Sequence, residues 1–78
     1  MFKMKLSELK RGESGIIIGY ADEELHLKLM EMGFIIGEKI NVVETGFFED
    51  PMAFKVCGYI VSLRKTEAAA VEIDKITD

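Results

Sequence analysis

Cysteine, proline and tryptophan are nearly absent from this chain. Its 78 residues include one cysteine, one proline and no tryptophan. With Cys57 alone no internal disulfide can form, which suits a reducing compartment, and we expect a cytoplasmic location. No apolar run approaches the roughly 20 residues of a membrane span, and the first residues lack the apolar centre of a signal peptide. We therefore expect no direct membrane insertion.

Positive charge is also limited. Ten Lys and Arg residues stand against 14 Asp and Glu residues, which gives a net charge of −4. They form no basic stripe that would follow a phosphate backbone, so we expect no nucleic-acid partner. A chain of 78 residues suits a single domain, residues 1–78, with a core of about residues 5–74 between frayed ends.

Histidine is scarce, which argues against catalysis. Nucleophilic catalysis needs a base beside a Ser or Cys, and His26 is the only histidine. No Gly-x-x-x-x-Gly-Lys-Ser/Thr phosphate loop is present, so we predict that the chain is not an enzyme and does not itself bind GTP. Paired metal ligands such as Cys-x-x-Cys are missing as well. The weak metal candidates are His26, Glu23 at helical spacing from it, and Cys57, for Fe(II) or another transition ion, and we expect no resident cofactor.

One stretch has a helical period. The apolar residues of its buried face are Leu25, Leu29 and Met32. Asp22 precedes them as an N-cap, so a helix is predicted from about Glu23 to Met32. Gly33 then occupies the position where a left-handed residue ends a helix, and Phe34 is placed to fold back on the last turn.

Elsewhere apolar and polar residues alternate, as they do in strands. The five predicted strands are Ile16–Ile18, Lys39–Glu44, Met52–Val56, Tyr59–Leu63 and Val71–Asp74. A two-residue turn at Cys57-Gly58 would place Val56 opposite Tyr59 and Phe54 opposite Val61, although a bulged turn stays open. Smaller predicted features are a helical turn capped by Ser7, a bulge or a close backbone approach at Gly19, and a turn at Thr66–Ala69. The sum is a mainly β fold: a small antiparallel barrel of about five strands, closed at its edges, with one short inserted α-helix.

Several apolar residues have no place inside such a barrel. They are Val43, Ile35, Ile36, Phe47, Phe48 and Ile60. Some can cover the open ends of the barrel, and the others can form an exposed patch for a partner. Aromatic residues such as Phe47 and Phe48 are effective anchors for such contacts. Met30 lies off the buried helical face, and homo-oligomerisation through these residues stays open.

The order of short motifs resembles the FeoA family. The motifs are Leu-Ser-x-Leu-x-x-Gly at Leu6–Gly12, Leu-x-x-Met-Gly-Phe-x-x-Gly at Leu29–Gly37, Asp50-Pro51, and Gly-Tyr-x-x-x-Leu-Arg-x-x-Glu-Ala at Gly58–Ala68. Two positions depart from the family pattern: Lys28 stands where arginine is common, and Ile36 where proline is common. Lysine keeps the charge but not the planar fork of a guanidinium.

The resemblance implies an SH3-like barrel and a non-enzymatic, accessory role in ferrous iron (Fe²⁺) transport. The partner would be the cytoplasmic, GTP-binding part of a FeoB-type membrane transporter. Candidate partner-binding residues are Lys28, Met30, Phe34, Ile35, Phe47, Phe48 and Arg64. The lack of tryptophan argues against a proline-peptide groove. As an alternative, the same barrel resembles the C-terminal domain of iron-dependent repressors, which implies a transition-metal-binding, sensing module that uses His26.

Overall fold

Six antiparallel strands form one sheet in the computed structural model, which describes residues 3–77. The strands are β1 (Lys3–Lys5), β2 (Ser14–Tyr20), β3 (Lys39–Thr45), β4 (Met52–Val56), β5 (Tyr59–Leu63) and β6 (Val71–Ile76). Across the sheet their order is β1-β6-β2-β3-β4-β5. The helices are α1 (Glu23–Glu31) and α2 (Lys65–Ala68), and single 3₁₀ turns cover Leu6–Glu8 and Phe47–Glu49.

The predicted mainly β, antiparallel fold with an inserted helix is confirmed, with two differences. The sixth strand is β1, in which Lys3 pairs with Asp74 and Lys5 with Glu72. Three residues are too few for alternation to identify a strand. The sheet is also not closed, because no ladder within residues 3–77 joins β1 to β5. The chain leaves β5 for α2, so β1 and β5 remain the two edges.

The predicted hairpin register between β4 and β5 is confirmed. Val56 pairs with Tyr59 and Phe54 with Val61. Cys57 and Gly58 both have left-handed backbones, with φ of +52° and +82°. Two positive φ values are the mark of a type I′ turn, so the alternative of a bulged turn is wrong.

Bulges interrupt two ladders. The register of β2 against β6 shifts between Ile17 and Gly19, as predicted from the glycine. A second shift lies between Val42 and Glu44 in β3. It leaves Val43 half-buried, which explains why this residue had no inside position in a regular alternation.

The core gathers buried side chains from β2 to β6, from α1 and α2, and from the first 3₁₀ turn. Its largest fully buried side chains include Phe34, Phe54, Leu6, Leu9, Ile17 and Leu29. The rings of Phe34 and Phe54 meet edge to face, with centroids 5.9 Å apart. Leu29 is the one fully buried residue of α1, and Leu25 and Met32 of the predicted face pack against the core while half-buried.

Both predicted ends of α1 are confirmed. The Asp22 side chain accepts a hydrogen bond from the Glu24 N–H at 2.8 Å. At the other end Phe34 N–H donates to the Leu29 carbonyl at 3.0 Å, and Gly33 N–H, with φ of +102°, donates to the Met30 carbonyl. These two bonds form a Schellman motif, whose geometry turns Phe34 back into the core.

The short turns differ from their predictions in detail. The first 3₁₀ turn is capped at Lys5, whose N–H donates to the Glu8 carboxylate at 2.8 Å, and not at Ser7, which is buried. The predicted turn at Thr66–Ala69 is the single helical turn α2. Within residues 3–77 the longest helix has nine residues, and no helix there is long and apolar enough to cross a membrane.

Candidate functional site

The loop between β3 and β4 exposes two aromatic rings. We call Gly46–Pro51 the aromatic loop. Phe47 is 91% exposed and Phe48 is 93% exposed, more than any other aromatic side chain of residues 3–77. Phe48 and Glu49 also have left-handed backbones, with φ of +54° and +62°, and each such residue costs about 1 kcal/mol or more when it is not glycine. The loop therefore holds apolar rings in water on a strained backbone.

Charged side chains brace this loop from two sides. The Glu49 carboxylate accepts a hydrogen bond from Lys10 Nζ at 2.9 Å and lies 3.6 Å from Lys65 Nζ. The hydrogen bond between Lys10 and Glu49 lowers the pKa of the Glu49 carboxyl group and raises the pKa of the Lys10 amine. Asp50 accepts the Lys65 N–H at 3.0 Å and lies 3.5 Å from the Arg64 guanidinium. The loop is consequently tied to Lys10, which follows the first 3₁₀ turn, and to α2.

Close backbone packing fixes the base of the aromatic loop. Gly46 N–H donates to the Pro51 carbonyl at 2.8 Å. A Cβ atom at Gly46 would lie 2.7 Å from the Asp50 carbonyl oxygen, so only glycine fits without a shift of the backbone. Thr45, Gly46 and Phe47 line a shallow surface depression beside the rings.

A second apolar region surrounds the end of α1. We call it the helix-end patch, and its exposed members are Leu27, Met30, Ile35 and Ile36. Leu27 was not predicted, but it lies one turn before Met30 on the same helix face. The Glu38 N–H donates to the Ile35 carbonyl at 3.0 Å, and Gly37 between them has φ of +96°, as in a type II turn. Ile36 occupies the second position of that turn, which also suits proline.

The predicted partner residues fall into these two regions and not into one. The aromatic loop precedes β4, whereas the Cys57-Gly58 turn follows it and lies against the helix end, with Cys57 Sγ 3.4 Å from the Gly33 carbonyl. A strand of five residues separates the two ends by about 15 Å. The prediction of Phe34 as a partner-binding residue is wrong, because its ring has no exposed surface and belongs to the core.

The two predicted basic partner residues lie beside α2. Lys28 Nζ is 2.8 Å from a carboxylate oxygen of Glu67. This bond lowers the pKa of Glu67. Arg64 precedes α2 and reaches Asp50 at the base of the aromatic loop. Both basic side chains are more than half exposed, so they border the two apolar regions and remain accessible.

The predicted weak metal candidates occupy different surroundings. The His26 ring stacks on Tyr20, with centroids 4.3 Å apart, and Tyr20 donates a short hydrogen bond to the Phe34 carbonyl. Cys57 lies in the β4–β5 turn, where desolvation and then the Glu38 carboxylate raise the pKa of its thiol. In the part of the chain that the structure describes, no three His, Cys, Asp or Glu side chains are grouped so that they could hold a metal ion.

These features define a small β module of the SH3-like type, whose candidate site is an exposed surface and not a cleft. The FeoA domain family matches residues 4–75, so the chain belongs to the FeoA domain family.

Known relatives agree with this assignment. A fusion protein of Fe(2+) transport protein A and the Fe(2+) transporter FeoB from Porphyromonas gingivalis is 36% identical over 75 residues, which cover 95% of this chain. The chain spans only 9% of the length of that relative. An FeoA-like protein from Clostridium acetobutylicum has a similar solution structure, with a TM-score of 0.92 and 28% identity over 100% of this chain and 92% of that one.

Two further structures bear on the fold. The crystal structure of Stenotrophomonas maltophilia FeoA complexed with zinc, described as a prokaryotic SH3 domain protein, has a TM-score of 0.81 and 30% identity over 91% of this chain and 89% of that one. The predicted SH3-like fold is thereby confirmed. A manganese-dependent transcriptional repressor has a TM-score of 0.82 over 95% of this chain and 42% of that one, and its identity of 16% shows a shared fold alone.

Proposed function

We propose that this protein is a non-enzymatic, accessory factor of ferrous iron transport in the cytoplasm, and that it docks on the cytoplasmic, GTP-binding part of a FeoB-type transporter. The observation that carries the proposal is the Porphyromonas gingivalis relative, in which an FeoA-like part and FeoB share one chain. Covalent fusion keeps two domains at a high effective concentration, which is useful where the separate domains bind each other.

The aromatic loop is the proposed anchor of this contact. Phe47 and Phe48 are almost fully exposed, and burial of two phenylalanine rings in a partner pocket would supply the large apolar area typical of binding hot spots. The ion pair of Glu49 with Lys10 holds the loop in place before binding. A rigid loop loses less conformational entropy on association than a flexible one. Strained backbone of this kind is also concentrated at functional sites.

The helix-end patch is the proposed second contact. It lies about 15 Å from the aromatic loop. A standard interface buries about 800 Å² on each partner, which is roughly 28 Å across, so one partner surface can cover both regions. Lys28 and Arg64, which border the regions, would then lie in the polar rim, where charges favour partner selection and association rate.

Titration calorimetry with the purified cytoplasmic domain of the cognate transporter tests this proposal. Wild-type protein is titrated in the nucleotide-free, GDP-bound and GTP-analogue-bound states. We expect Phe48→Asp and Met30→Asp to weaken binding at least about tenfold, since each places a charge in an apolar contact. Ile60→Asp is the matched control, because Ile60 is an exposed apolar residue outside both regions, and it should bind as the wild type does. Absence of wild-type binding in every nucleotide state would overturn the proposal.

A second candidate function is direct binding of a transition metal ion. The zinc complex of the Stenotrophomonas maltophilia protein favours it. In this chain His26 is the one imidazole, and it is exposed beside Tyr20. Calorimetry with Fe(II), Zn(II) and Mn(II) on the wild type and His26→Ala distinguishes the two functions. A saturable heat that His26→Ala removes would support metal binding, and equal, weak heats from both proteins would exclude it.

A further inference from the structure

The outer face of α1 carries both apolar and acidic side chains. Leu27 is 67% exposed and Met30 is 39% exposed, and both belong to the helix-end patch. We propose that this patch binds a basic amphipathic helix in the cytoplasmic part of the transporter, one in which Lys or Arg residues flank an apolar stripe. This contact rests on the proposed function, in which the helix-end patch is the second contact, and it specifies the chemistry of the segment that covers the patch.

Three carboxylates surround the Leu27 side chain on the helix surface. Residues three or four positions apart in a helix are surface neighbours. Glu24 precedes Leu27 by three positions. Glu23 precedes it by four positions, and Glu31 follows it by four. All three glutamates, which we call the acidic border, are exposed. The helix-end patch is therefore flanked by negative charge along α1.

The acidic border keeps its charge in the folded protein. Among residues 3–77, the ion pairs and side-chain hydrogen bonds involve none of its three carboxylates. Lys28, the one lysine or arginine of α1, donates instead to Glu67 of α2 at 2.8 Å. The carboxylates of the aromatic loop differ, because Glu49 and Asp50 each lie beside a basic side chain. The negative charge next to the helix-end patch is consequently available to a partner.

Stability of the helix explains only part of the acidic border. Glu23 and Glu24 lie in the first turn of α1, where negative charge interacts favourably with the helix dipole. Glu31 is the last residue of α1, where the dipole disfavours negative charge. A carboxylate at that end, beside the exposed Met30, suits a cation supplied by a partner better than it suits the helix itself.

The acidic border selects among the occupants that could cover the patch. An isologous dimer uses the same patch on both copies, so it would bring the same three carboxylates of each copy together, and like charges oppose association. Anionic lipid headgroups and nucleic-acid phosphates are repelled for the same reason. A segment with Lys or Arg beside its apolar residues gains both charge complementarity and apolar burial. The charge on the patch thus favours a basic partner.

The backbone around the patch leaves side chains as the means of recognition. The Ile35 N–H donates to the Gly33 carbonyl at 2.9 Å, and the Gly37 N–H donates to the Ile17 carbonyl at 2.8 Å. Because these groups are engaged, a strand has no edge to extend here, whereas an amphipathic helix needs only side-chain contacts. The acidic border runs along α1 for about 12 Å, from a rise of about 1.5 Å per residue. A partner helix of about two turns can therefore place basic residues at both ends of the border.

Calorimetric titration with the purified cytoplasmic domain of the transporter measures the contribution of this charge. The triple variant Glu23→Gln, Glu24→Gln, Glu31→Gln removes the charge of the acidic border and keeps the size of its side chains. We expect its dissociation constant to rise about tenfold or more at low salt, and the difference from the wild type to shrink as salt is added. Glu31→Gln alone should raise it about threefold. Glu8→Gln is the matched control for that single change and should bind as the wild type does, because Glu8 is exposed outside both regions and glutamine keeps the oxygen that accepts the Lys5 N–H.

Two synthetic peptides test the chemistry of the patch without the transporter. One is an amphipathic helix built of Leu and Lys, and the other has Glu in place of every Lys. In an NMR titration we expect the Lys peptide to shift the amide resonances of Leu27, Met30 and Ile35 and to leave those of Phe47 unchanged, and the Glu peptide to shift none of them. The triple variant should bind the Lys peptide more weakly than the wild type does.

The outcomes distinguish the basic helix from the proposed function. If the transporter domain binds the triple variant as tightly as the wild type, while Phe48→Asp weakens the complex, the basic helix is refuted and the proposed function stands. If the domain binds no form of the protein but the Lys peptide binds the helix-end patch, the proposed function and the transporter as partner are refuted, while the preference of the patch for a basic helix stands. Equal shifts from the two peptides would refute that preference.

Discussion

The amine of Lys28 lies 2.8 Å from the carboxylate of Glu67 and thereby joins α1 to α2 across 39 residues of sequence. The other carboxylate oxygen of Glu67 accepts the Arg64 N–H at 2.9 Å, and the Arg64 side chain reaches Asp50 in the aromatic loop. Since Leu29 is the one fully buried residue of α1, this polar chain supplements a small apolar contact. The helix and the aromatic loop are linked through one glutamate.

Removal of the Lys28 amine should loosen α1. We expect Lys28→Met to lower the free energy of unfolding by about 0.5–1 kcal/mol, since the pair is partly exposed, and to speed amide exchange in α1. Urea denaturation and hydrogen exchange measure these effects. Lys28→Arg should keep the stability, because a guanidinium also pairs with a carboxylate. Lys55→Met, on the exposed side of β4, is the matched control and should change neither quantity.

Acid should destabilise the protein through its paired glutamates. Hydrogen bonds from lysine lower the pKa values of Glu13, Glu49 and Glu67 below their ordinary value of 4.5. A carboxyl group with a lower pKa in the folded state contributes stability above its unfolded pKa and loses it as the pH falls. We therefore expect unfolding free energy to be level from about pH 7 to pH 5 and to fall below about pH 4.5. Glu67→Gln should make this acid decline shallower. If the unfolding free energy of Glu67→Gln falls with acid as steeply as that of the wild type, the assignment of part of the acid sensitivity to Glu67 is wrong.

The features that were predicted correctly are those decided by neighbouring residues. The turn at Cys57-Gly58 fixes the β4–β5 register, and Gly33 with Phe34 fixes the end of α1, because each needs only local backbone geometry and one hydrophobic pattern. The ion pair between Lys75 and Glu13, at 2.7 Å, joins residues 62 apart in sequence. No local pattern signals such a contact. Lys75 lies in β6, which continues to Ile76 and thus beyond the predicted core of about residues 5–74.

The candidate site was predicted in part for the same reason. Phe47 and Phe48 had no inside position in the alternation, and they are exposed. Phe34 was grouped with them, although its place after Gly33 in the Schellman motif already directed it inward. The ion pair between Glu49 and Lys10, which ties the aromatic loop to the start of the chain, is a tertiary contact, so the sequence contained no sign of it.

Truncation of Phe34 and truncation of Phe48 should change the free energy of unfolding in opposite directions. Phe34 is fully buried against Phe54, so Phe34→Ala should cost about 3–5 kcal/mol of unfolding free energy. Phe48 is exposed and has a positive φ, so Phe48→Gly should raise stability by about 0.5–1 kcal/mol by relieving backbone strain. Guanidinium denaturation of both variants checks these values. A destabilised Phe48→Gly would mean that the ring packs on the protein in solution.

Gly46 should be the least replaceable residue of the aromatic loop. A Cβ atom there meets the Asp50 carbonyl oxygen at 2.7 Å, and because that atom is backbone it cannot rotate away. We expect Gly46→Ala to cost about 1–3 kcal/mol and to shift amide resonances of the aromatic loop, as measured by denaturation and by NMR. Gly19→Ala is the matched control, since its Cβ would meet Glu72 at a similar 2.8 Å, but at the flexible end of a side chain. If Gly19→Ala loses less unfolding free energy than Gly46→Ala, the difference is caused by the contact with backbone atoms at Gly46. Equal losses of unfolding free energy in the two variants would mean that the backbone of the aromatic loop shifts as readily as the Glu72 side chain does. That result would contradict the rigidity on which the proposed role of the loop as an anchor depends.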